Sequence, residues 1–169
     1  MKNNAIYYWN KYKNSPAAIK VTLVLVLAVF LILVYHRSSA KDVSMDSIRQ
    51  AMLKNTDIEK MKKCGNRDLM QFLSLDYSNY DSYLYYKSRE SLGVEEVLVV
   101  KVKNKDNLDG VKDAVDHRIE AQKKAFDGYG TNQTQLLNSA VVETKGNYLF
   151  YCVAENPSTY EEVFRHAVQ

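Results

Sequence analysis

Two residues on a predicted helix could bind an anionic or amide-bearing group. Arg118 and Gln122 are four positions apart in an amphipathic stretch, so their side chains share one helix face, one turn apart. A guanidinium and an amide in that arrangement could clamp a carboxylate or an amide. The alternative is structural, with Arg118 pairing with a carboxylate such as Glu95 or Asp116 to close the helix–sheet edge. The sequence favours the structural role.

Tyrosines are concentrated in the stretch DYSNYDSYLYYKSRE, residues 76–90, which holds five of the thirteen in the chain. Aromatic rings among small polar residues suit a carbohydrate, peptide or protein surface. From residue 82 onward the composition predicts a strand, with Tyr83 and Tyr85 on one face and Leu84 and Tyr86 on the other. Rings on both faces are typical of a covered strand. Tyr77 and Tyr80, in the preceding loop, are therefore the candidate contact residues.

No motif for metal binding or covalent catalysis stands out. Cys64 and Cys152 could form a disulfide in an exported domain, or could be two separate buried thiols. The three histidines are far apart, and no zinc-binding, phosphate-binding or nucleophile motif surrounds them. Glu95 and Glu96 are adjacent on a predicted strand, so they point to opposite faces, and a solvated strand entrance is the simpler interpretation. We expect no metal and no cofactor.

An apolar stretch near the N-terminus predicts a membrane helix. Pro16 to Tyr35 is twenty residues, which make roughly 30 Å of helix, about the thickness of a bilayer core. Four lysines precede Val21, whereas both signs of charge follow the span. The positive-inside rule therefore predicts a cytoplasmic N-terminus and a C-terminal part outside the cytoplasm.

A cleaved signal peptide is the alternative interpretation of this stretch. Small residues ending at Ala40 loosely resemble a cleavage site. The long N-terminal region and the absence of helix breakers in the span favour a retained anchor. The expected parts are a cytoplasmic arm (1–15), a transmembrane helix (16–36), a linker (37–43) and an extracytoplasmic domain (44–169).

Charge is distributed unevenly along the chain. Residues 1–40 contain five basic and no acidic residues, whereas residues 41–169 contain 18 basic and 20 acidic residues. The basic isoelectric point, near 8.7, therefore comes from the N-terminal arm. Since the remaining part shows no basic stripe, we expect no nucleic-acid partner.

Hydrophobic periodicity and turn signals predict an α+β domain. Short amphipathic helices starting near Met45, Thr56 and Asn66 come first, and Gly65 is predicted to end the second. Four strands and two longer helices follow. They predict a four-stranded antiparallel sheet with helices on one face, in the order ββαββα. The signals for the later elements are the strand VEEVLVVKVK, the helix after Asn107, a polar link with Leu136 and Leu137, the hairpin turn Lys145–Asn147 and a capping box of Ser158 and Glu161.

Several of these features resemble the bacterial domain-of-unknown-function family 4358, over about residues 44–168. The matching features are Glu95 and Glu96, Lys101 to Lys103, Arg118 and Gln122, Tyr129, and the hairpin Lys145 to Tyr148. The resemblance implies an origin in Gram-positive Firmicutes, where many members are exported lipoproteins, and it implies no assigned activity. Because this chain lacks a cysteine just after the span, the membrane helix would replace the lipid anchor.

These observations favour a non-catalytic binding or interaction module at the cell envelope. Its partners would be the membrane and an envelope component or a protein. One alternative is an extracytoplasmic enzyme that acts on cell-wall or peptide substrates. Another is a secreted domain released by cleavage near Ala40.

Overall fold

A computed structural model describes residues 16–169. The predicted cytoplasmic arm, residues 1–15, lies outside the described residues, as do the side chains of residues 35–38. The chain divides into two compact units between Ser39 and Ala40.

The first unit contains helix α1, Pro16–Ser38. Among the described residues, its segment Pro16–Val34 is the one helix long and apolar enough to cross a membrane, with mean hydropathy 2.9 and none of it buried. The Thr22 hydroxyl donates to the carbonyl of Ala18 at 2.9 Å, so it needs no outside partner in an apolar environment. By length and composition α1 could be a membrane anchor or a signal sequence.

The second unit is an α+β domain, which confirms the predicted class. Its sheet is antiparallel, in the order β1-β2-β3-β5-β4. The described part of the sheet has five strands, one more than predicted, because β1 is a two-lysine strand that carries no strand pattern. The strands are β1 (Lys62–Lys63), β2 (Tyr80–Lys87), β3 (Glu96–Val102), β4 (Val141–Lys145) and β5 (Tyr148–Val153).

Helices cover both faces of the sheet, so the prediction of helices on one face is wrong. We call face A the side that carries Leu98 and Val100, and face B the side that carries Val97 and Val99. The central strands β3 and β5 are buried at nearly every position, and strands that are apolar on both sides need cover on both sides. Face A is covered by α3 (Asn66–Leu73), α4 (Leu108–Ala125) and α5 (Thr131–Asn138), and face B by α2 (Met45–Asn55) and α6 (Pro157–Ala167).

The early helices differ from prediction in their ends. Ser44 caps α2 as expected, since its side chain accepts the backbone N–H of Ser47 at 3.1 Å. The predicted second helix is a single 3₁₀ turn, Ile58–Lys60. Gly65 does not end that turn in a left-handed conformation; it precedes α3 with φ −109°, and its N–H donates to Asp68 at 2.9 Å.

The later elements follow the sequence signals more closely. Helix α4 and the β4–β5 hairpin are confirmed, and the positive φ of Gly146, +59°, explains why glycine stands in this turn. Helix α5 occupies the predicted link, because burial of Leu137 stabilises a segment with weak helix propensity. Helix α6 starts after Asn156 with Pro157 in its first turn, so the predicted capping box does not form.

Residues 40–43 are bound to the domain, whereas a linker was expected there. The N–H of Lys41 donates to the carbonyl of Val168 at 2.8 Å. The Tyr148 hydroxyl accepts the N–H of Val43 at 3.0 Å and donates to its carbonyl at 2.9 Å. The predicted 37–43 linker therefore divides between the end of α1 and the beginning of the folded domain.

Candidate functional site

Arg118 is paired with a buried carboxylate inside the domain. Glu96 lies at the start of β3 on face A and is only 1% exposed. Arg118, on α4, donates to it through Nη2 at 2.6 Å and through Nε at 3.2 Å. The hydroxyls of Tyr85 and Tyr151 each donate to it at 3.3 Å. Four side chains from three strands and a helix thus form one polar cluster, which we call the Glu96 cluster.

The strand register explains why the two tyrosines meet Glu96. Tyr85 on β2 and Tyr151 on β5 both pair with Leu98, one from each side. Leu98 is two residues beyond Glu96, and so all four residues share face A. Both rings then extend along the face towards the carboxylate.

The expectation of a solvated strand entrance is wrong for Glu96. The structural interpretation of Arg118 agrees with the geometry, although its partner is Glu96 and not Glu95 or Asp116. Alternation along the strand could have indicated this burial, because Glu96 lies in phase with Leu98 and Val100 on the apolar face. An isolated charge in that position needs a partner.

Burial and charge fix the protonation of the groups around Glu96. Burial, followed by the charge of Glu96, raises the pKa of Tyr85 and of Tyr151 far above the ordinary range. Burial alone would lower the pKa of Arg118, but its hydrogen bond and charge interaction with Glu96 outweigh this effect and raise it. At neutral pH the tyrosines are therefore neutral donors and the arginine is a cation.

Gln122, the other residue of the predicted clamp, is buried on α4 and makes no hydrogen bond to Glu96. It is 7% exposed, and within residues 16–169 its Oε1 atom has no hydrogen-bond partner. The Arg118 guanidinium lies 5.1 Å from the centre of the Phe72 ring, and the Lys87 ammonium lies 3.7 Å from the same ring. Two of the five N–H donors of Arg118 are thus engaged by Glu96, and Phe72 lies against the guanidinium.

Tyr77 and Tyr80 differ in exposure. Tyr77 is 51% exposed, in a 3₁₀ turn that starts after Asp76. Tyr80 begins β2 and packs partly buried against the face A core, where burial raises its pKa. Of the two predicted contact residues, Tyr77 is the one that offers a ring at the surface.

Cys64 and Cys152 are free, buried thiols. Cys64 lies in the core on face A and Cys152 in the core on face B. Burial raises the pKa of Cys64 to about 11 and raises that of Cys152 as well. The two cysteines are therefore separate buried thiols and do not form a disulfide. Both thiols are protonated at neutral pH.

A separate open groove, of about 920 Å³, lies where three segments meet: residues 53–61, residues 88–95 and residues 154–160. We call it the acidic groove. Its charged lining residues are Asp57, Glu59, Glu90, Glu95 and Glu155, with Lys54, Lys60 and Arg89.

The cations of the acidic groove do not neutralise its carboxylates. Lys60 pairs with Asp57 at 3.0 Å. Arg89 donates to backbone carbonyls, at 2.9 Å to Lys60 and 3.4 Å to Glu59. Within the described part of the chain, four carboxylates of the lining have no ion-pair partner, and Oε2 of Glu95 is buried without a hydrogen bond. Those four are Glu59, Glu90, Glu95 and Glu155.

Sequence reasoning missed the acidic groove. Its carboxylates come from three separate connections, so no sequence pattern brings them together. The sequence drew attention only to the neighbouring residues Glu95 and Glu96, which have different roles. Glu96 supports the core, whereas Glu95 faces the groove. In residues 16–169 no group of three His, Cys, Asp or Glu residues is placed to hold a metal ion.

A family model, described as a domain of unknown function (DUF4358), matches residues 54–154, more than half of the chain. The chain belongs to the DUF4358 family. The matched range is narrower than the resemblance over 44–168, but it contains the whole sheet, the Glu96 cluster and most of the acidic groove. No curated protein and no solved structure matches the chain. Membership of DUF4358 thus carries no activity over to this domain.

Proposed function

We propose that this chain is a single-pass membrane protein that holds a non-catalytic binding domain outside the cytoplasm. The domain binds a cationic segment of an envelope component or partner protein in the acidic groove. The excess of basic residues before α1 supports this orientation.

The observation that carries the proposal is the set of unpaired carboxylates in the acidic groove. Glu59, Glu90 and Glu155 are exposed, and Glu95 is half-buried in the same lining. Like charges in a concave surface raise the local concentration of ions of opposite sign and speed their association. A lysine or arginine side chain would supply the donors that these carboxylates lack.

A non-catalytic role is supported by how the ionisable groups of the Glu96 cluster are used. Arg118, Tyr85 and Tyr151 all donate to Glu96 in the interior. These hydrogen bonds hold α4 on the sheet, and the Glu96 carboxylate and both tyrosine hydroxyls are engaged with one another rather than exposed to a substrate.

Protease treatment of intact cells tests the anchor and its orientation. A C-terminal tag on the full chain should be removed by external protease, and the untreated protein should run at full length in the membrane fraction. A tag that survives until the cells are lysed would contradict the outward orientation. A shorter, soluble tagged band would instead establish cleavage near Ala40.

A charged-peptide titration tests the acidic groove. The probe is a dye-labelled pentalysine peptide, titrated into the full chain in nanodiscs of uncharged lipid and followed by fluorescence anisotropy. The double variant Glu90→Gln/Glu155→Gln should weaken binding roughly fivefold, since each exposed charge pair contributes up to about 1 kcal/mol.

The matched control is Asp109→Asn/Asp113→Asn, which removes the same charge from exposed positions on α4. This control should bind pentalysine as the unaltered chain does. Equal weakening by both double variants would mean that net charge alone attracts the probe. The acidic groove would then not be the binding site.

A further inference from the structure

Strand β4 forms an open edge of the sheet. It ends the strand order and, among the described residues, pairs with β5 alone. Its first three residues are half-buried and Thr144 is exposed, whereas every residue of β5 is buried. The outer side of β4 is therefore an open strand edge, and Val142 on this strand also lines a cavity.

The hairpin turn determines which backbone groups point outward. Gly146 and Asn147 form a two-residue turn, so Lys145 and Tyr148 are the hydrogen-bonded pair that closes it. Hydrogen-bonded and non-hydrogen-bonded pairs alternate along an antiparallel ladder. Val142 and Thr144 consequently turn their N–H and C=O groups away from β5, towards the edge.

A cavity of about 410 Å³ lies beside this edge, between β4 and the helices α4 and α5, and four of its eight lining residues are apolar. Its apolar lining consists of Ile119, Leu137, Ala140 and Val142. Val142 is on face A, so its side chain borders the cavity while its backbone faces the open edge. A strand added at β4 would place every second side chain on face A, and the side chain beside Val142 would lie at the cavity.

The charged residues at the rim of this cavity are paired with neighbours on α4. Asp116 pairs with Lys112 at 2.7 Å, and Glu120 lies 3.9 Å from Lys123. The rim therefore offers no net charge to a ligand, in contrast to the acidic groove. Because the rim charges are paired and the other half of the lining is apolar, an uncharged aliphatic side chain suits this site better than a charged one.

We propose that β4 accepts an extended, uncharged peptide segment of a partner protein as a sixth strand, with an aliphatic side chain in the cavity. Main-chain hydrogen bonds to Val142 and Thr144 provide affinity, and the cavity provides selectivity. This surface shares no lining residue with the acidic groove, and so the two proposals stand or fall separately.

A second copy of the chain fits this edge less well. A five-residue strand contact covers far less than the roughly 1,200–2,000 Å² of a stable protein interface. A short peptide does not need that larger area.

The test uses the full chain in nanodiscs and a library of acetylated, amidated heptapeptides. The library fixes valine or leucine at alternate positions, varies the remaining positions among uncharged residues, and is read by mass spectrometry of the bound fraction. We expect enrichment of individual sequences over nanodiscs that carry Val142→Pro, at least tenfold for the best. Proline at Val142 removes an outward N–H, and edge strands tolerate proline at such positions.

Two further measurements separate strand addition from a folding defect. The best peptide, resynthesised with N-methyl groups on alternate amides, should bind at least tenfold more weakly to the unaltered chain. Ala140→Trp, which fills the cavity from a half-buried position, should weaken the aliphatic peptide but leave the far-ultraviolet circular dichroism unchanged. Equal binding of the N-methylated peptide, or no enrichment over Val142→Pro, would overturn the proposal. A concentration-dependent dimer that Val142→Pro abolishes would assign the edge to a second copy instead.

Discussion

The two faces of the sheet are both closed by helices, but their cores differ in chemistry. On face A, helix α4 is fixed to the sheet through the buried Glu96 and its three donors. On face B, the Phe150 and Phe164 rings stack with centroids 5.0 Å apart, in an otherwise apolar core. The stability of the face A core thus depends on compensating the charge of Glu96, whereas that of the face B core depends on how well its side chains pack. The two cores should therefore respond differently to single substitutions.

The largest effect is expected from breaking the Glu96 cluster on one side. Glu96→Ala leaves the Arg118 cation and two tyrosine hydroxyls buried without their acceptor. Removing one member of a buried ion pair typically costs about 3–5 kcal/mol. Chemical denaturation of the full chain, followed by circular dichroism, should show that loss in the free energy of unfolding.

A double variant sharpens this result. Glu96→Met with Arg118→Met removes both charges, and it should recover a large part of the stability that Glu96→Ala loses. On face B, Phe164→Ala should cost about 3 kcal/mol, with no such recovery available from a second substitution. If the double variant is as unstable as Glu96→Ala, uncompensated charge is not what distinguishes face A.

A second effect should appear at alkaline pH. The folded domain keeps Tyr85 and Tyr151 protonated because their pKa values are raised, whereas the unfolded chain releases these protons above about pH 10. Their contribution to stability is therefore complete below pH 10 and is lost as the pH rises, by roughly 1 kcal/mol per tyrosine at pH 11. Denaturation at pH 8, 9, 10 and 11 measures the slope. Tyr85→Phe should make it shallower, and an identical slope would contradict the assignment.

The buried amide of Gln122 should lower the stability of the domain, but by less than a break in the Glu96 cluster does. Its Oε1 atom is buried without a partner, and such a group costs about 1–3 kcal/mol. Gln122→Met keeps the volume and removes the polar atoms, so it should raise the free energy of unfolding by about 1 kcal/mol. A loss of stability, measured by the same denaturation, would mean that the amide makes a favourable contact.

The smallest effect concerns Lys101 at the margin of face B. Its ammonium contacts Asp42 at 2.6 Å and Asp81 at 3.1 Å, and the hydrogen bond to Asp42 contributes most to raising its pKa. Both carboxylates are well exposed, so Lys101→Ala should cost at most about 1 kcal/mol.

The effect of Lys101→Ala should be local. Hydrogen exchange at the Val43 amide, which donates to Tyr148, should become faster. Lys112→Ala is the matched control, because it removes a surface pair with Asp116 and leaves residues 40–43 untouched. Unchanged exchange at Val43 would show that its contact with Tyr148 holds residues 40–43 on the domain without help from Lys101.

Elements with strong local signals could be predicted from the sequence. The alternation from Tyr83 to Tyr86 predicted a strand with rings on both faces, and the glycine in Lys145–Asn147 predicted the hairpin. Both signals depend on neighbours in the chain. Helix α5 and strand β1 carry weak local signals, because their conformation depends on what they pack against or pair with.

Candidate sites were harder to predict than elements. Arg118 was identified as a residue with a structural partner, but Glu96 is 22 positions away on another element. The acidic groove gathers carboxylates from three connections, so neither spacing nor composition marks it. The open edge of β4 depends on strand order, which turn residues do not determine.

The hydrogen bond between Lys41 and Val168 places the first and last residues of the folded domain side by side. A domain that starts and finishes at one point can be inserted into a loop of another protein without separating its two cores. Its termini can also be joined by a short glycine-rich bridge and reopened elsewhere, for example between α4 and α5. The adjacent ends therefore give the fold the geometry that domain insertion and circular permutation require.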